Sequence, residues 1–273
     1  MRRGAFARTM SRIQELLNHK KNKVLNVYCT AGYPKLESTL EVMSALQEAG
    51  ADIIELGIPY SDPLADGPVI QQSGSIALSN GMSIEKIFTQ LKGFRNDSAS
   101  GEKGIRVPVV LMGYMNPVLQ YGFERFCKDA SALSVDGLIL PDLPEYEFET
   151  IYGPILKQYG LDFIFLVTPE TSEERVRKLD SLSSGFLYAV SSSSTTGSNK
   201  NMTDVEAYLE RLKNYRLKNP VLVGFGIKDQ KSFEAACLHA NGAIIGSAYI
   251  QSLDNSTNIK KTTEKFLEAI VSN

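Results

Sequence analysis

A chain of 273 residues, 43% hydrophobic and 22% charged, is long enough for a large core in one or two domains. Its formal net charge of -2 gives no global electrostatic case for nucleic acid or an anionic membrane, so any anion site must be local. Three widely spaced cysteines, Cys29, Cys127 and Cys237, and two histidines, His19 and His239, form no CxxC or zinc spacing; buried reduced thiols fit a cytoplasmic protein.

In chain order, Met10, Ile13, Leu16 and Leu17 at helical spacing predict a short leading helix over 7–18, stopped by Lys20, Lys21 and Lys23. This basic N-terminus has no apolar core of secretory length, and no run approaches the roughly 20 apolar residues of a membrane span. Strands are then expected at 24–30, 52–57, 107–112, 136–140, 161–167, 185–190, 220–223 and 242–245. Helical patterns separate them at 36–49, 83–94, 123–133, 145–159, 172–182, 203–214, 229–238 and 259–271. Continuous apolar runs are what parallel strands covered on both faces look like. Eight strands, each followed by a helix, predict an α/β chain folded as a single (β/α)₈ TIM barrel over 1–273, with the short extra N-terminal helix, and the length suits the typical ~250 residues. An open doubly wound sheet is the alternative; there is no G-x-G-x-x-G after the first strand to support it.

The chemistry concentrates after the second strand, in Asp52-Ile-Ile-Glu55-Leu-Gly-Ile-Pro59-Tyr-Ser-Asp62-Pro-Leu-Ala-Asp66-Gly-Pro68. Alternation puts Ile53, Glu55 and Gly57 on one face and Ile54, Leu56 and Ile58 on the other, so Glu55 points inward if the aliphatic row packs on helices. A carboxyl among apolar groups has its charged form disfavoured, which suits a group that donates and recovers a proton near neutrality. Asp66, in a loop punctuated by Pro63, Gly67 and Pro68, is expected in a wetter setting and ionised, so two acids in unlike environments suggest two proton roles. Taken singly, Glu55 reads as a solvated strand end and Asp62 and Asp66 as turn residues; the whole string shifts that balance.

On a barrel this loop lies on the face formed by the C-terminal ends of the strands, where active sites are built. The seventh strand ends in Val223-Gly224-Phe225-Gly226 and the eighth in Ile245-Gly246-Ser247-Ala248. Paired in adjacent units, these glycines read as a phosphate site, because they let backbone amides approach an anion closely. The Ser-rich stretch 191–201 follows the sixth strand on the same face and reads as a mobile lid, with Thr196 and Gly197 offering a hydroxyl and an amide; by composition alone it is a linker. Tyr28, Tyr114 and Tyr188 stand at other strand ends and become walls if a flat ring binds there.

The string from Glu55 to Gln71 closely resembles the signature of the tryptophan synthase alpha chain family. The likeness extends to Thr30-Ala-Gly-Tyr-Pro34, Leu111-Met-Gly-Tyr-Met-Asn-Pro117, Asp136-Gly-Leu-Ile-Leu-Pro-Asp142-Leu-Pro144, Gly224-Phe-Gly226 and Gly246-Ser-Ala248. The resemblance implies a lyase that cleaves indole-3-glycerol phosphate to indole and D-glyceraldehyde 3-phosphate, in the last steps of L-tryptophan biosynthesis, without a metal or organic cofactor. It implies Glu55 as the acid-base residue and Asp66 as the carboxylate that receives the indole N–H. It further implies Tyr28, Leu111, Tyr114, Tyr188 and Thr196 around the indole and glycerol groups. Gly197, Gly226, Gly246 and Ser247 would hold the phosphate, with Gly224 shaping the turn. It implies a pyridoxal-phosphate beta chain as partner, in a heterotetramer of two alpha and two beta chains, with the loop around Asp62 and the segment Pro141 to Pro144 facing it. Where many members carry Ser-Arg-x-Gly-x-Thr-Gly, this chain has Ser192 at the arginine position and Ser194 at the glycine. That departure keeps open a subunit that mainly binds and activates a beta chain, and another phosphosugar barrel enzyme is the third reading.

Overall fold

The computed structural model describes residues 10–98, 101, 103–190, 202–224 and 226–271. Among these the strands are β1 (Val24–Thr30), β2 (Ile53–Gly57), β3 (Val109–Met112), β4 (Gly137–Ile139), β5 (Asp162–Phe163), β6 (Leu166–Val167), β7 (Leu187–Val190), β8 (Val221–Gly224) and β9 (Gly242–Ile245). All pair in parallel, in the order β5-β4-β3-β2-β1-β9-β8-β7-β6. The two ends of that order are successive pieces of one run of chain, expected from the sequence as one strand over 161–167. Its first half pairs with β4 and its second with β7, and the bonds Ile164 N–H to Leu138 O (3.1 Å) and Tyr188 N–H to Phe165 O (3.0 Å) carry the sheet across the break. The sheet therefore closes on itself as the eight-staved barrel.

Its interior shows the closure independently. Val24, Ile53, Val110, Ile139, Ile164, Phe186, Leu222 and Ile244, one from each stave, pack into a single apolar cluster. Ile13 and Leu17 of the leading helix Arg12–His19 complete it and plug the N-terminal end of the barrel. That helix starts on a reciprocal cap between Ser11 and Gln14. It is tied down where Ser11 Oγ donates to Asp162 and Arg12 donates to Asp136 at 2.9 Å. The larger cluster fills the space between sheet and helices.

Strand β3 starts two residues later than expected because Pro108 has no N–H to give; its carbonyl still accepts from Ile54 at 3.0 Å. The sequence pattern also left three helices out, Pro68–Ser79, Met115–Tyr121 and Ser247–Leu253, which follow β2, β3 and β9. The first begins with Pro68 at its opening turn after Gly67, so the prolines that read as loop punctuation are helix-start chemistry. The expected helix 145–159 forms in three pieces, with a π-helical turn at Phe148–Tyr152 between Glu145–Glu147 and Gly153–Gln158.

Candidate active site

The apolar layer sets the parity of everything above it. Counting two residues toward the C-terminal face from each of its eight strand members reaches Asn26, Glu55, Met112, Pro141, Leu166, Tyr188, Gly224 and Gly246, because strand side chains alternate. Glu55 is completely buried. One carboxyl oxygen, Oε2, accepts from Asn26 Nδ2 at 3.0 Å, and the other has no partner among the described residues. Burial is the main force on its titration and pushes the carboxyl up to about 8; the Asn26 amide pulls it down, and the charge of Asp66 adds to the rise.

Asp66 is half-buried rather than wet, which corrects the expectation for the loop. Desolvation lifts its carboxyl to about 6, and the neighbouring Tyr114 hydroxyl holds it lower than it would otherwise be. The unlike environments remain: near neutrality Glu55 is mostly protonated and Asp66 mostly ionised. Both acids act electrostatically on the same two rings: after burial, the charges of Asp66 and Glu55 raise the titration of Tyr28 and Tyr188.

The loop is held over the barrel by identifiable contacts. Asp66 N–H closes a turn on Pro63 O at 3.1 Å, and Gln71 Nε2 donates to Asp66 O at 2.8 Å. Ala65 N–H donates to the Tyr114 hydroxyl at 3.1 Å. Tyr114 is itself placed by Asp142, whose carboxylate accepts from Met115 N–H at 3.0 Å and so caps the helix after β3. The Tyr60 ring packs on Tyr114 with centroids 5.5 Å apart. At the end of β1, Thr30 Oγ1 bonds Ser73 at 2.7 Å, joining the helix behind the acidic loop to the strand that carries Tyr28.

Of the other expected site residues, Tyr28 lies at Cα register with Glu55 on the adjacent strand, and Tyr114 and Tyr188 stand at the same mouth. Leu111 does not. It is 1% exposed and belongs to the layer between sheet and helices, because Val110 and Met112 occupy the inward pleat of β3. Met112, half-buried at the interior, takes the position assigned to it. Alternation along the strands carries the signal for two residues absent from the expected set: counting by twos from Val110 reaches Met112, and from Tyr28 reaches Asn26. Gly224 ends β8 and leaves room for a ring, since a Cβ there would collide with Tyr188. Gly226 is exposed in the left-handed region at φ 65, and Gly246 caps the helix that Ser247 opens. Thr196 and Gly197 lie outside the described residues.

Comparison with known proteins agrees with this arrangement. Residues 14–273 match the family described as tryptophan synthase alpha chain. The chain is 45% identical to the tryptophan synthase alpha chain of Parabacteroides distasonis over 262 residues, covering 96% of this chain and 99% of that one. It is 48% identical to that of Christiangramia forsetii over 248 residues, covering 90% and 94%. The fold superposes on the crystal structure of tryptophan synthase subunit alpha from Legionella pneumophila with a TM-score of 0.84 at 33% identity, covering 96% of this chain and 97% of that one. An eight-staved barrel with a buried acid on its second stave and another on the loop that follows, matched along nearly its whole length, belongs to the tryptophan synthase alpha chain family.

Proposed function

We propose that this protein cleaves indole-3-glycerol phosphate to indole and D-glyceraldehyde 3-phosphate by acid-base retro-aldol chemistry at Glu55 and Asp66. The observation that carries the reading is the pair itself: a fully buried carboxyl poised near 8 and a half-buried one near 6, both acting electrostatically on the same two tyrosines. Protonated Glu55 donates to C3 of the indole ring, and ionised Asp66 accepts the ring N–H, which becomes acidic as positive charge develops there. Glu55, now ionised, removes the proton from the side-chain hydroxyl next to C3. The bond from C3 to that carbon breaks, its electron pair restores the aromatic ring, and the carbon leaves as the aldehyde. Tyr28, Tyr188 and Met112 provide the apolar walls for a flat ring. Gly226, Gly246 and Ser247, at the ends of adjacent staves, offer main-chain amides to the phosphate, with Gly197 assigned to the same work by sequence and Thr196 to the rest of the substrate.

The same reading supplies a partner, a beta chain that consumes the indole. Two leucines support a docking face on the loop side of the barrel: Leu64, 85% exposed between the two acids in sequence, and Leu119, 48% exposed on the helix after β3. A groove of about 400 Å³ lined by Pro59, Tyr60, Asn116, Pro117 and Gln120 lies beside them, outside the barrel mouth. The test is release of indole from indole-3-glycerol phosphate by the purified protein. Glu55→Gln is expected to reduce it by at least ~10³-fold with the fold intact, as for loss of a group needed in both proton transfers. Undiminished turnover in that variant removes the reading.

A further inference from the structure

We propose that Asn26 is a positioning residue for the lyase chemistry, which fixes the oxygen of Glu55 that carries the transferred proton. The inference rests on the lyase reading above. Asn26 sits on β1 at 0% exposure, on the inward pleat between Val24 and Tyr28. A leucine or valine would fill that place at lower cost, since a buried amide must find partners. Among the described residues Asn26 makes one side-chain bond, from Nδ2 to Glu55 Oε2, and its own Oδ1 has no partner. The amide is spent on Glu55.

The consequence follows from what each oxygen can do. An N–H donor is compatible with a carboxylate oxygen or with the carbonyl oxygen of the protonated acid, but not with an oxygen that already points a proton at it. Oε2 is therefore held as the acceptor in both protonation states. The proton that arrives from the substrate hydroxyl and leaves to ring carbon resides on Oε1, the oxygen without a partner. Without Asn26 the two oxygens become equivalent, and the carboxyl is free to rotate its proton away from the substrate.

The groups that share this space with Glu55 are Tyr28 on β1, Tyr188 on β7 and Asp66 on the loop after β2, with Cys29 on the opposite pleat of β1. Strand β3 presents Val110 and Met112. Of these only Asp66 acts appreciably on the Glu55 carboxyl, and in the direction opposite to the amide. Removing the amide thus moves the Glu55 midpoint upward.

Two measurements test the assignment. In the wild-type protein labelled with ¹³C at glutamate Cδ and ¹⁵N at asparagine Nδ2, the Asn26 side-chain resonance is expected to move with the same midpoint as the Glu55 carboxyl. An Asn26 signal flat through that transition overturns the proposal without requiring any variant to fold. Asn26→Leu, which keeps the volume, is expected to raise the kcat/KM midpoint by about one pH unit and lower kcat ~10-fold, with KM within about twofold. A merely structural role would leave the midpoint in place, and an unchanged profile in folded Asn26→Leu overturns the proposal. A wild-type protein that releases no indole while both resonances titrate together removes the lyase reading. Indole release with a flat Asn26 resonance removes the positioning role alone.

Discussion

Gly57 lies where the Tyr28 ring crosses from the neighbouring strand: a Cβ at Gly57 would collide with the Tyr28 hydroxyl and ring. The same relationship recurs between Gly224 and Tyr188. Two glycines at strand ends thus serve two tyrosines at the mouth, by absence of volume rather than by backbone freedom, since neither has a positive φ. Gly57→Ala is expected to destabilise the protein by ~1–3 kcal/mol through overpacking and to displace Tyr28. Urea unfolding checks this, and Tyr28→Leu in the same chain should recover part of the loss, as coupled neighbours do. Strictly additive effects would contradict the contact.

Glu55 links stability to pH with a definite sign. Its carboxyl titrates at about 8 in the folded protein against an ordinary value near ~4.3 in the unfolded chain. The native state therefore holds the proton more tightly, and this contribution is fully present below the unfolded value and lost as pH rises through about 8. Glu55→Gln removes the linkage while keeping an acceptor for Asn26. The variant is expected to gain on wild type between pH 6 and 9 by a few kcal/mol, on the order that the shift implies. Thermal melts at both ends of the range decide it, and a constant gap would count against the buried carboxyl.

Tyr114 acts on Asp66. Its hydroxyl pulls the Asp66 carboxyl down against desolvation, so Tyr114→Phe is expected to move that carboxyl above about 6. The acid limb of kcat/KM should then rise by up to about one unit, with several-fold loss at pH 6 and recovery at higher pH. The variant also deprives Ala65 N–H of its acceptor, so a uniform loss at all pH values would indicate loop displacement instead.

At the opposite end of the barrel, Asp136 holds two arginines and a strand. Its oxygens accept from Arg95 at 2.6 Å, Arg12 at 2.9 Å and Val109 N–H at 2.7 Å. Arg95 is only 12% exposed at its side chain, and burial lowers it to about 10 despite that partner. Asp136→Ala leaves the guanidinium without its counter-charge and is expected to cost about 3–5 kcal/mol, as when one partner of a buried pair is removed. Turnover per folded molecule should persist, because this network lies on the stability face. Urea unfolding and an indole assay on the soluble fraction separate the two effects.

Much of this was legible in the residues. The alternation of apolar runs and helical patterns implied eight staves, and the alternation within Ile53, Glu55 and Gly57 placed Glu55 inward. Nine strands are seen because the run 161–167 is shared between β4 and β7, a division no local pattern encodes. Leu111 and Met112 show where local reading fails. Both are apolar and adjacent, and only pairing with β2 decides which of the two faces the mouth. Asp66 shows the same limit: its loop chemistry reads as wet, yet it is half-buried, and the hydroxyl that acts on it belongs to Tyr114, distant in sequence.

Residue order by itself determined the eight alternating units, the acids and the end of the strands on which they stand, because these follow from periodicity and from which end of a strand its loop leaves. Tertiary structure alone decided that Asn26 meets Glu55, that Tyr114 meets the acidic loop, and that Met112 rather than Leu111 looks inward. Those are contacts between strands and loops brought together by closure, and closure fixes register through packing of all eight staves at once rather than through any one segment.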